Sequence, residues 1–259
     1  GGGGEPLLVG LQGWRDGQGV VWHDPPSRGG WGSCGKVTTV FGVAVCVSKR
    51  AWASSQGRTR ADHIAHVFYQ LLDNDADGSP DDPAVLSRMV SNGYLLWVPD
   101  GEADSEQGEL PDDAGVDQMT GVHEAFPNNC QAPANRGADP NDRSTWASAV
   151  TNTRGCDTRR DATTEEILHL ITPAAAAEYP DLWGLTFGSE LGRALKAANG
   201  NCGHGYLGNW IDPSSGQCTG QHAYNDETCD EECNVVEGLY WAVTSYIGGL
   251  YTATQTGNI

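Results

Sequence analysis

Residues 36–49 read KVTTVFGVAVCVSK. Between its terminal lysines the stretch is apolar and β-branched with no charge, and its length and composition predict one buried strand. A buried strand needs neighbours, and LLVGLQG (7–13) and YLLWVPD (94–100) are weaker strand candidates. TRADHIAHVFYQLL (59–72) between them carries Ile64, Val67, Phe68 and Leu71 at helical spacing. PAVLSRMVSNG (83–93) predicts a second helix, opened by proline and closed by Asn-Gly.

Residues 101–160 are rich in Gly, Asp, Asn and Pro and keep no periodicity. A long loop is expected there, of the kind that is functional or held by disulfides. After it the chain turns helical over 163–172, 189–200 and a nearly apolar 234–251 that is expected to be buried. Strands first and helices afterwards predict an α+β fold: a small mixed sheet with helices, then a helical C-terminal part. A single domain over 1–259 is expected, with parts 1–100, 101–160 and 161–259.

Asp and Glu number 34 against 15 Lys and Arg, a formal charge of −19. Such a field repels nucleic acid and anionic membranes and attracts divalent cations or basic partners. No apolar run approaches the ~20 residues of a membrane span. The opening GGGGEPLLVG has neither methionine nor a hydrophobic leader, and it reads as a processed, mature product. Eight cysteines and no C-x-x-C pair suit four disulfides in an oxidising compartment, so a secreted, extracellular protein is expected. Closure between neighbours favours Cys34–Cys46, Cys130–Cys156, Cys202–Cys218 and Cys229–Cys233. No N-x-[ST] sequon is present.

DNDADGSPDD, from Asp73, matches the first half of a calcium loop. Asp73, Asp75 and Asp77 would supply oxygens and Gly78 the sharp turn, with predicted helices on both sides. Ala84 stands where the closing bidentate glutamate belongs. Asp81 or Asp82 is left to close a shortened loop around Ca²⁺. The competing reading is a solvated acidic turn.

DATTEEILHLITP (161–173) poses the second question. A zinc-protease helix would read HEILH, and here a glutamate replaces the first histidine. Glu165 and His169, four apart, share one helix face, the spacing two ligands of one Zn²⁺ need. Glu166 stands where such a helix keeps its general base. Glu237 in CNVVEGLYW is the favoured third ligand, and Tyr240, one turn on, is placed to donate to an oxyanion. His204 and His222 compete with Glu237 for that role. The bland alternative is a capping box with Thr163 as N-cap and Glu166 reaching back.

LLDNDADGSPDDPAVL, ATTEEILHLIT and DETCDEECNVVEGLYWAVTSYIGG together resemble an uncharacterised family of secreted, zincin-like, metallopeptidase-like proteins with a degenerate HExxH. The resemblance implies Glu165 and His169 as ligands, Glu166 as base and Glu237 as third ligand. The missing first histidine sets this chain apart from active zinc proteases.

Other chemistries are less supported. Glu166 and His169 also spell the E-x-x-H of di-iron bundles, but those need a second copy and none occurs. His63 and His66 sit beside Ile64 and Val67 and read as packing on an amphipathic helix. No G-x-S-x-G is present, and a cysteine protease would lack a free thiol. Nine tryptophans suit a core, or a lectin-like face if several are exposed together.

Two functions therefore follow from the sequence. One is a secreted zinc metallopeptidase acting on a peptide or protein substrate. The other is a catalytically inactive structural protein that assembles with copies of itself into a filament or matrix, stabilised by calcium and disulfides.

Overall fold

A computed structural model of the chain describes residues 13–15, 19–27, 29–101, 104, 116–125 and 161–246. The strand expected at 7–13, most of the loop 101–160, the Cys130–Cys156 pairing and residues 247–251 of the last helix lie outside them, Gly13 and a few loop residues excepted. Two compact units are present, one up to residue 127 with 160–174, the other comprising 128–159 and 175 onward.

KVTTVFGVAVCVSK is not one strand but a hairpin, β3 (Cys34–Val40) and β4 (Val43–Ser48). The turn between them is Phe41-Gly42, with φ of 49° and 91°. Two-residue hairpin turns with both central residues at positive φ match the twist of antiparallel strands. Phenylalanine seldom adopts that conformation, so nothing in the local sequence announced the break. Its ring stacks on Tyr69, centroids 5.0 Å apart.

A short ribbon, β1 (Trp14–Arg15) and β2 (Gly19–Val20), precedes the hairpin. The main sheet runs β3-β4-β5-β6, with β5 at Tyr94–Val98 and β6 at Gln118–Gly121. β3 is antiparallel to β4, whereas β4, β5 and β6 are parallel. Every residue of β5 is buried, which is why YLLWV is continuously apolar rather than alternating. Trp31, Val37, Leu95 and Trp97 form one core cluster around the Cys34–Cys46 disulfide.

Three helices join β4 to its parallel neighbour β5: α1 (Lys49–Ala53), α2 (Gly57–Leu72) and α3 (Pro83–Ser91). Ile64 and Phe68 of α2 are fully buried. The sheet is mixed and small and is accompanied by helices, as expected for an α+β chain.

α4 (Thr163–Glu178) contributes residues 163–174 to the first unit and 175–178 to the second. It was expected to stop before Pro173. Proline removes one backbone donor, but the alanine run 174–177 that follows propagates the helix well, and α4 continues through it.

The rest of the second unit holds α5 (Pro180–Trp183), α6 (Glu190–Asn199) and α7 (Glu231–Tyr246). Disulfides Cys202–Cys218 and Cys229–Cys233 tie the irregular stretch between α6 and α7. α7 buries Asn234, Val235, Gly238, Tyr240 and Thr244, whereas Glu232, Ala242 and Tyr246 are exposed, so it is not buried throughout as its apolar composition predicted. No described helix is long and apolar enough to cross a membrane.

Candidate metal centres

Two groups of acidic and histidine side chains among the described residues have the make-up to hold a metal ion. They are Asp73, Asp75 and Asp81, one ligand atom of each within 4.8 Å of the others, and the pair Glu165 and His169, four residues apart on α4.

The aspartate group is built where α2 ends. Asp73 is the C-cap of α2 and is 1% exposed. Its carboxylate accepts hydrogen bonds from the amides of Asp77 (3.1 Å) and Gly78 (2.9 Å). A hydrogen bond from the Tyr69 side chain, and then these amides, hold its carboxyl below the ordinary range of 3.8 against the opposing effect of burial. Gly78 makes the turn at φ 87°. The Asp81 amide donates to Leu72 O at 2.8 Å, and its carboxylate accepts from the Asn74 backbone (3.0 Å) and side chain, which folds the loop back on the end of α2.

The neighbouring acids serve the backbone. Asp82 caps α3 by accepting from the amides of Ala84 and Val85, both at 3.0 Å. Asp77 accepts from its own loop, at the amide of Ser79 (2.7 Å). Of the two residues left to close the loop, Asp81 joins the group and Asp82 starts a helix.

The second group begins on α4. Glu165 is 6% exposed, and His169 stands one turn later. Glu166 Oε2 lies 3.7 Å from His169 Nδ1, beyond hydrogen-bond length but close enough for attraction to a charged ring. The expected capping box does not form. Thr163 is already the first helical residue, and the Ala162 carbonyl accepts from the Glu166 amide at 2.9 Å. The cap is two residues earlier: Asp161 Oδ1 accepts from the amide (3.0 Å) and hydroxyl (2.6 Å) of Thr163. A carboxylate makes a stronger cap than a hydroxyl.

Glu237 and Tyr240 lie one turn apart on α7, Tyr240 only 2% exposed. His204 is engaged inside the second unit. Its Nδ1 is 3.2 Å from Asn234 Oδ1, and its ring stacks on Phe187 with centroids 5.1 Å apart. Asn234 gives both its amide protons to the carbonyls of Cys229 and Asp230. Its oxygen is therefore the acceptor, and His204 carries its proton on Nδ1. Burial, and then the charge of His204, push the His222 imidazole below its ordinary 6.5.

The packing role expected of His63 and His66 does not describe them. His66 is exposed, and His63 Nε2 meets Asp161 Oδ2 at 2.9 Å. No local pattern joins residues so far apart in sequence, although Asp161 two before Thr163 is itself a cap signature.

Compared with protein-family models, curated proteins and solved structures, the chain matches none.

Proposed function

We propose that the protein is a secreted zincin-like metal-binding protein, a zinc metallopeptidase with a separate calcium loop. The observation that carries the reading is Glu165 and His169 one turn apart on α4, to which we assign Glu237 as the third donor. Two carboxylates and one imidazole are ligands that zinc accepts, and three protein ligands leave a coordination position for water or substrate, as in catalytic zinc sites. Three oxidised cysteine pairs among the described residues agree with an oxidising compartment. The Asp73, Asp75 and Asp81 group offers only oxygen, which suits Ca²⁺.

A bound zinc ion supplies Lewis acidity and lowers the pKa of its water. The chain's own residues do the rest in this reading. Glu165, His169 and Glu237 would hold the ion, and two negative ligands would leave it less positive than an all-histidine site does. Glu166, adjacent in sequence to the ligand Glu165, takes the proton of the attacking water and returns it to the leaving amine. Tyr240 is the donor assigned to the oxyanion.

The test is metal analysis of the native protein with and without chelator, followed by peptide hydrolysis. We expect about one zinc per chain, lost in Glu165→Gln and His169→Ala. Glu166→Gln should keep the zinc and lower hydrolysis at least ~100-fold. Calcium without zinc overturns the reading, and ordered assemblies in the same sample would then favour the structural protein.

A further inference from the structure

We propose that His63 and Asp161 are positioning residues that set where and at what angle the metal-binding helix α4 begins. The inference rests on the reading of Glu165 and His169 as ligands. Asp161 is a single side chain with two separate duties. Oδ1 accepts both bonds from Thr163, the first residue of α4, and Oδ2 meets His63 Nε2 of α2 at 2.9 Å. Its side chain is 2% exposed and that of His63 23%. An ionised carboxylate only accepts, so His63 carries its proton on Nε2.

α2 is a rigid support for this contact, because Ile64 and Phe68 are fully buried. One turn before His63, Arg60 donates to the carbonyl of His123 at 3.0 Å and pairs with Asp100 at 3.5 Å. The next carbonyl along, that of Glu124, accepts from the Ala162 amide at 2.8 Å. The start of α4 is thus held from two sides, and α2 provides a side chain to each. Glu165 follows Thr163 by two residues, so an error in the first turn is carried directly into the ligand carboxylate. Metal sites tolerate such errors poorly, since ligands must be held within about 0.5 Å of their productive places.

The experiment measures Zn²⁺ and Ca²⁺ affinity by calorimetry and amide exchange at residues 163–167, in wild type, His63→Ala, His63→Gln and Asp161→Asn. Glutamine can donate from its amide to Asp161, so it serves as the conservative replacement. We expect His63→Ala to weaken Zn²⁺ binding about tenfold, in the range known for residues that orient ligands, and to speed exchange at 163–167. His63→Gln should restore most of both, Asp161→Asn should resemble His63→Ala, and Ca²⁺ affinity should not move. Unchanged zinc affinity and exchange in His63→Ala overturns the proposal. So does a parallel loss of calcium affinity, which would indicate general destabilisation. Failure of the wild type to bind Zn²⁺ overturns the zinc reading instead; exchange at 163–167 then decides the helix-anchoring role by itself.

Discussion

Single residues in this chain hold conformations that their side chains do not prefer. Ala76, inside the aspartate loop, has φ 58°, a left-handed position that costs an L-residue about 1–2 kcal/mol. Glycine there loses more entropy on folding but carries no such strain. Ala76→Gly should therefore raise the urea midpoint, a gain of about 0.5 kcal/mol after the entropy difference. A lower midpoint would show that the loop holds Ala76 without strain. His222 offers a test with pH. Its folded pKa is below 6.5, while an unfolded histidine titrates near 6.5. The unfolded chain therefore takes up the proton first. Stability contributed by keeping His222 neutral is present above 6.5 and falls as pH drops from 6.5 towards the folded pKa. Thermal melts of His222→Gln should show a shallower loss of stability than wild type in that window.

At the scale of elements, close approach decides which residues are replaceable. A Cβ on Gly192 of α6 would lie 1.9 Å from the carbonyl oxygen of Thr186, a backbone atom that cannot swing away. Gly192→Ala should thus destabilise the protein by about 2 kcal/mol, although alanine is the better helix former. A rise in melting temperature would contradict the close contact. The helices themselves were largely legible: apolar spacing placed α2, and an opening proline with a closing Asn-Gly placed α3; Ser189 at the head of α6 is a capping residue that accepts from the Gly192 amide at 2.9 Å. Their ends were less so. α4 passes a proline because the alanines after it sustain the helix, and its cap is Asp161 rather than Thr163 because the carboxylate is the stronger acceptor.

For the whole molecule, covalent ties supplement modest regular structure. Between α6 and α7 only two short 3₁₀ turns are present among the described residues, and the Cys202–Cys218 bond closes 16 positions of that stretch. Replacing both cysteines by alanine should cost about 3 kcal/mol, the loop-entropy value for that span, and should be read from urea unfolding. Calcium at 100 times its dissociation constant should add about 2.7 kcal/mol. That gain should vanish in Asp73→Asn, whose buried side chain is the loop's central acceptor. A formal charge of −19 makes added salt a second stabiliser through screening, so the calcium titration should be run at constant ionic strength.

What the sequence determined alone was local or compositional. Cysteine proximity in sequence named the Cys34–Cys46, Cys202–Cys218 and Cys229–Cys233 pairs. Residue type and periodicity yielded the mixed α+β content, the aspartate loop and the shared face of Glu165 and His169. Tertiary structure decided what depends on backbone angles or on distant partners. It turned one apparent strand into a hairpin at Phe41, because packing on Tyr69 accompanies a conformation phenylalanine rarely takes. It chose Asp81 over Asp82 for the loop, because only one of the two was needed to start α3. And it joined His63 to Asp161 across 98 positions, a pairing that only the folded arrangement of α2 and α4 creates.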